Sequence, residues 1–132
     1  MARLVAVKAD KWKSGDRSRP IIELTKFGKL LCYEKCSGRW FRSDRWHVED
    51  ALAQLQGLYE NNICVNLNDF YNLLGIYDTN RGSIYGWSSA IHGERTELFT
   101  LNLIENGFMT MDEPVLVITP TVFPEKDYKE VL

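Results

Sequence analysis

Eight consecutive residues, Arg39 to Trp46, interleave three arginines (Arg39, Arg42, Arg45) with three aromatic side chains (Trp40, Phe41, Trp46). Such a mixture holds single-stranded nucleic acid when rings stack on bases and guanidinium groups hold phosphates. Tryptophan and arginine are also the residues enriched where proteins grip other proteins. A strand offers a third use, with Trp40 and Phe41 on opposite faces, Trp46 against a helix start and the arginines solvated or paired with acids. Arg39, Trp40, Arg42, Arg45 and Trp46 are thus one set of candidate binding residues. A second set is acidic. Glu94, Glu97, Glu105, Asp112 and Glu113, if gathered on one exposed face, would imitate the phosphates of a nucleic acid.

Catalytic constellations are harder to assemble. Glu49-Asp50 and Asp112-Glu113 are adjacent acids, but neighbours on a helix diverge, and the second pair abuts the turn-forming Pro114, so neither converges on a substrate by spacing. Cys64 and His92 have the residue types of a nucleophile and base, yet a cysteine between Ile63 and Val65 reads first as buried filler. Cys32, Cys36 and Cys64 match no zinc spacing, His47 and His92 lack the pairing of a helical metal motif, and the three thiols are expected to be reduced. No nucleophile elbow, Walker loop or dinucleotide fingerprint occurs. The expectation is a protein without enzymatic activity, cofactor or metal.

The elements that must position these residues follow from periodicity. Leu4–Val7 reads as a short strand, and Asp10–Pro20 as a flexible basic loop. Ile21–Leu24 and Lys29–Tyr33 flank Gly28 at hairpin spacing, and Ser37-Gly38 turns the chain into Arg39–Phe41, so the first third reads as an antiparallel meander. From Ser43 the period becomes helical: Val48, Ala51, Leu52, Leu55, Leu58 and Tyr59 line one face, with Ser43 or Asp44 as N-cap and Asn61-Asn62 at the end. A second helix runs from Leu67 to Leu74, capped by Asn66 with Asp69 and stopped by Gly75. Tyr85–Ser88 reads as the start of a strand or an aromatic corner and Leu98–Leu103 as a strand, and Asn106-Gly107 predicts a tight hairpin returning through Phe108–Met111. Continuous apolar character makes Val115–Thr119 an interior strand. The predicted fold is α+β: an antiparallel sheet with two helices, about 44–61 and 67–74, packed on one face.

The chain has 132 residues, 45% hydrophobic and 26% charged, which fits one soluble domain with one core over 1–132. Its apolar runs fall far short of a membrane span, and Met1–Asp10 lacks the apolar stretch of a signal peptide, so a cytosolic protein without a membrane role is expected. The net charge of −2 hides an asymmetry. Residues 1–47 carry twelve basic against five acidic side chains, +7, whereas residues 48–132 carry four against thirteen, −9. Two opposed faces of that kind would suit self-association or docking on a charged protein, and the basic one could meet nucleic acid.

Leu31-Cys32-Tyr33-Glu34, Ser37–Asp44, Val65–Tyr71, Leu74-Gly75, Gly86-Trp87-Ser88 and the closing Phe123–Tyr128 follow one another in an order that resembles an uncharacterised domain family of phages and prophages of Firmicutes. The resemblance spans residues 29–128. It implies a phage or prophage origin, hence the host bacterial cytoplasm or the virion, and it brings no catalytic residues. Three uses are expected in turn: a non-catalytic protein-binding module, accessory or virion-associated and able to self-associate; an inhibitor of a bacterial defence or host enzyme that mimics nucleic acid with its acidic surface; and a nucleic-acid binder using residues 39–46.

Overall fold

The structure, a computed structural model, describes residues 3–5, 21–62, 64–93, 95–126 and 128. The loop expected at Asp10–Pro20 and the candidate Glu94 lie outside these residues. The described elements run β1 (Arg3–Val5), β2 (Ile22–Leu24), β3 (Leu30–Glu34), β4 (Arg39–Ser43), α1 (Arg45–Asn62), β5 (Cys64–Asn66), α2 (Leu67–Leu74), β6 (Gly86–Ser88), α3 (Ser89–His92), β7 (Phe99–Ile104) and β8 (Val115–Pro120). This is the α+β class expected. No helix among the described residues is long and apolar enough to cross a membrane.

Both main helices form where periodicity and caps place them. Asp44, not Ser43, caps α1: its Oδ1 accepts the His47 backbone N–H at 2.7 Å. Val48, Ala51, Leu55 and Tyr59 are fully buried along the inner stripe of α1, while Leu58, expected on that stripe, is 41% exposed. In α2 the box is reciprocal, with Asn66 accepting from the Asp69 N–H and Asp69 from the Asn66 N–H, both at 2.8 Å. Gly75, at φ 83°, ends α2 in the left-handed conformation that glycine adopts without strain.

The sheet is mixed rather than antiparallel, in the order β1-β2-β4-β3-β8-β7. β2 runs parallel to β4, and β3 parallel to β8. The expected hairpin between Ile21–Leu24 and Lys29–Tyr33 therefore does not form, whereas the Ser37-Gly38 hairpin does. Gly28 explains the difference. A Cβ there would stand 2.6 Å from the Ser43 carbonyl and 2.9 Å from Cβ of Asp44, so this glycine lets the chain cross the end of β4 instead of turning back beside β2. Thr25 holds the crossing by donating to the Arg42 carbonyl at 2.6 Å and accepting from the Phe27 N–H. Phe27 stacks on the ring of His47 at 3.4 Å.

Asn106-Gly107 likewise makes no tight hairpin. The return strand is β8, and Phe108–Thr110 forms a short 3-10 turn. Phe108 lies 5.4 Å from the ring of Tyr33 and 6.2 Å from that of Trp40, so the loop leaves the sheet to cover its second face. That face buries Leu31, Trp40, Val115 and Val117. The other packs Cys32, Phe41, Phe99, Leu116 and Ile118 against the helices. With both faces covered, β8 is the interior strand its apolar run predicts.

A small second sheet, β5 with β6, clips the helical layer to the C-terminal segment through a Gly86–Glu125 bridge. Trp87 is completely buried beside it and donates its indole N–H to the Val122 carbonyl at 2.8 Å. A Cβ on Gly86 would meet the Val65 carbonyl at 2.2 Å and Cα of Asn66 at 2.8 Å, both backbone atoms with little freedom to move. Gly86→Ala should therefore destabilise the fold by about 1–3 kcal/mol, the usual overpacking cost. A urea midpoint equal to that of the parent would contradict this packing.

Candidate functional site

The Arg/Trp segment does not present one surface. Arg39 and Phe41 point to the helix side of β4, whereas Trp40 and Arg42 point to the other. Arg39 forms an ion pair with Glu23, and Arg42 holds Glu113 with bonds of 2.7 and 3.3 Å while donating to the Lys29 carbonyl. Arg45 pairs with Glu49 one turn along α1, and Trp46 stands 70% exposed beside it. The strand reading of the segment describes the split of Trp40 and Phe41 between faces and the paired arginines, but Trp46, expected to pack against the helix start, is largely exposed instead. The acidic candidates are also separated. Glu97 precedes β7, whereas Glu105, Asp112 and Glu113 follow its far end, roughly 25 Å or more away by strand rise. Glu113 is already neutralised by Arg42.

Two buried carboxylates organise the end of the sheet instead. Glu34 is completely buried and accepts four hydrogen bonds: from the Cys36 N–H at 2.5 Å, the Ser37 N–H at 3.3 Å, the Ser37 hydroxyl at 2.6 Å and the Tyr71 hydroxyl at 3.0 Å. A buried carboxylate is tolerated only with such saturation. Glu23, 4% exposed, is met by Arg39 and by the Tyr77 N–H at 2.9 Å, and Arg39 donates in turn to the Tyr77 carbonyl at 2.6 Å. The Arg39 guanidinium lies 4.6 Å from the centre of the Tyr71 ring. One continuous network, Glu23–Arg39–Tyr71–Glu34–Ser37, thus ties β2, β3 and β4 to α2 and the segment after it.

Over this network opens a groove of about 510 Å³. The β3–β4 turn contributes Lys35 and Ser37, α2 contributes Leu67 and Tyr71, and the 79–85 loop contributes Arg81 and Tyr85, whose ring lies 5.3 Å below the Arg81 guanidinium. Phe123 completes the wall and is 76% exposed. A rigid apolar wall edged by two cations is what a binding surface needs. Sequence reasoning missed Phe123, Tyr85, Arg81 and Lys35 as site residues because three separated segments supply them. The one available signal was the aromatic content of Tyr85–Trp87 and Phe123.

All three cysteines are free thiols. Burial pushes the Cys32 thiol up to about 12, with smaller opposing contributions from its neighbours. Burial, then the charge and hydrogen bond of Glu34, also hold the Cys36 thiol well above its ordinary value, and the Tyr71 hydroxyl is raised by the same two causes. His47 stacks on Phe27 and meets the Leu73 carbonyl at 3.0 Å, and His92 turns Nδ1 to the Ser88 backbone. No hydrogen bond among the described residues joins His92 to Cys64.

Two outcomes follow. At about pH 8 both Cys32 and Cys36 should resist iodoacetamide in the native protein and react only on unfolding, since the thiolate is the nucleophile. Rapid alkylation of native Cys36 would contradict its environment. The hydrogen bond from Arg42 lowers the Glu113 carboxyl below its ordinary 4.5. A carboxyl that is more acidic when folded stabilises the fold above its unfolded value, and that contribution is lost as pH falls through the lower folded value. Glu113→Gln should be less stable than the parent at neutral pH by up to about 1 kcal/mol, as suits a half-exposed pair. The two stabilities should converge once the pH has fallen below the lowered folded value, and a gap that persisted in stronger acid would point to another cause.

Neither a curated protein nor a solved structure matches the chain. A protein family does. Its match runs from β1 through both sheets and past Phe123 and Pro124, which wall the groove. Over residues 3–129, the chain belongs to the family of unknown function DUF6353.

Proposed function

We propose that the protein is a non-catalytic protein-binding module of phage or prophage origin, acting in the cytoplasm of the bacterial host or in the virion. The observation that carries the reading is the groove edged by Phe123, Tyr85, Arg81 and Lys35, with a large ring held almost bare to solvent over a fully hydrogen-bonded floor. An exposed aromatic beside arginine, on a rigid base, is the make-up of a binding hot spot. The occupant it suits is a protein segment with an apolar or aromatic anchor next to an acidic residue. The phage origin is supported by the ordered residue pattern from Leu31 to Tyr128.

A non-catalytic role is supported by the chemistry of the groove. The acceptor positions of Glu34 are taken by four donors, and the Cys36 thiol is held protonated, so neither serves as base or nucleophile near neutral pH. Nucleic-acid binding through residues 39–46 ranks behind because Arg39 and Arg42 are engaged on opposite faces. Acidic mimicry ranks behind because the described acids lie at both ends of β7.

Replacing Phe123 with a photo-crosslinking benzoylphenylalanine and irradiating in a host-cell lysate should yield a covalent adduct with a protein. Arg81→Glu in the same background should remove the adduct without altering the circular dichroism spectrum. With the captured partner purified, Phe123→Ala should weaken binding about 30-fold, the scale of a hot-spot residue. An adduct with nucleic acid, or a protein adduct indifferent to Arg81→Glu, would overturn the reading.

A further inference from the structure

The sheet ends at β7, and the phase of its ladder shows what that edge offers. In the parallel pair, the Ile118 carbonyl accepts from the Lys35 N–H at 3.0 Å, so the even-numbered residues of β8 face β3. Pro120, which has no N–H, sits opposite Phe99, and the Thr121 N–H reaches the Leu98 carbonyl at 2.9 Å. All three observations assign the bonded pairs of β7 and β8 to 100/119, 102/117 and 104/115. The N–H and C=O groups of Phe99, Leu101 and Leu103 therefore point away from the sheet, and no described strand pairs with them. The edge is not blunted by proline, lysine or a bulge, the devices that usually protect one.

Beside this edge α1 builds a trough of about 380 Å³, with Glu49, Leu52, Ala53 and Gln56 spaced as one helical stripe. Gln56 closes one end, its amide donating to the Thr96 carbonyl at 2.7 Å and accepting from the Leu98 N–H at 3.1 Å. The groups that this amide meets belong to the residues just before β7, and the outward N–H and C=O groups of Phe99, Leu101 and Leu103 are left open beyond it. Leu52 and Leu101 give the trough an apolar floor. Glu97 stands exposed in the trough lining and Glu105 just past the far end of β7, both without an ion-pair partner among the described residues.

We infer that the β7 edge and its trough receive an extended segment of another protein as an added strand, with apolar side chains at alternate positions and lysine or arginine at both ends. Backbone pairing with Phe99, Leu101 and Leu103 supplies the affinity, and alternate side chains entering the trough supply the selectivity. About five residues, roughly 17 Å, match the three outward positions. The acidic ends select against a second copy of this chain. In the register that uses all three outward residues, β7 against β7 would set Glu97 opposite Glu105 twice, and like charges directly opposed destabilise a strand pair. The site is separate from the Phe123 groove and does not rest on it.

The test uses the full chain and two fluorescein-labelled nonapeptides, Lys-Thr-Val-Thr-Val-Thr-Val-Thr-Lys and its glutamate-ended counterpart, whose nine positions match Glu97 to Glu105, read by anisotropy at low salt. The lysine-ended peptide should bind at least about tenfold more tightly. Doubly substituted Glu97→Lys/Glu105→Lys protein, altered only at exposed positions, should reverse that preference. Leu101→Pro, which deletes an outward N–H and leaves the β8 ladder intact, should abolish binding while Phe123→Ala leaves it unchanged. Binding of neither peptide at millimolar concentration, or a preference that survives charge reversal, would overturn the proposal. So would a concentration-dependent dimer in sedimentation that Leu101→Pro dissolves, because the edge would then belong to a second copy.

Discussion

The rest of the molecule depends on keeping two buried carboxylates hydrogen-bonded. Glu34 faces the helical side of the sheet with no access to water, and leaving an acceptor of that kind unmet costs about 1–3 kcal/mol or more. Its four donors come from the turn that follows it and from Tyr71, so the β3–β4 hairpin and α2 are placed by one side chain. Glu23 makes the same demand on the neighbouring strand. Arg39 meets it while covering the Tyr71 ring and holding the Tyr77 carbonyl. The floor of the groove above is the upper side of this network. Pre-organisation of that kind reduces the ordering cost of binding.

The same network changes the meaning of the charge asymmetry. The +7 of residues 1–47 and the −9 of residues 48–132 suggest two opposed faces, but pairing cuts across that division. Glu23 and Arg39 neutralise each other within the basic stretch, whereas Arg42 reaches Glu113 and Arg45 reaches Glu49 across the boundary. Cations at Lys35 and Arg81 edge the groove, and acids at Glu97 and Glu105 flank the free strand. The surface is thus patterned locally, cationic beside one recess and anionic beside the other.

How much of this was legible in the sequence depends on how local each feature is. The Asn66/Asp69 box, Gly75, the 3.6-residue period of α1 and the Ser37-Gly38 turn are decided by residues within a few positions of each other, and each lies where expected. The parallel pairings of β2 with β4 and β3 with β8 are not local. A hairpin-like spacing around Gly28 carries no sign that this glycine is needed for a close crossing against Ser43 and Asp44. Asn106-Gly107 fails for a comparable reason: packing Phe108 onto Tyr33 and Trp40 outweighs the preference of the dipeptide for a tight turn. The candidate site was the least legible. Alternation along β4 already implies that Trp40 and Phe41 part company, but nothing local shows that residues near 35, 71, 81 and 123 share one recess.

A double-mutant cycle on Glu23 and Arg39 tests the central claim, that buried charge pairing fixes the sheet against α2. Urea unfolding of Glu23→Gln, Arg39→Met and the double variant should give a coupling energy of at least about 1 kcal/mol, with the double variant more stable than the sum of single effects implies. Additivity within about 0.5 kcal/mol would mean that the two side chains act independently, and the account of how this fold is held would be wrong.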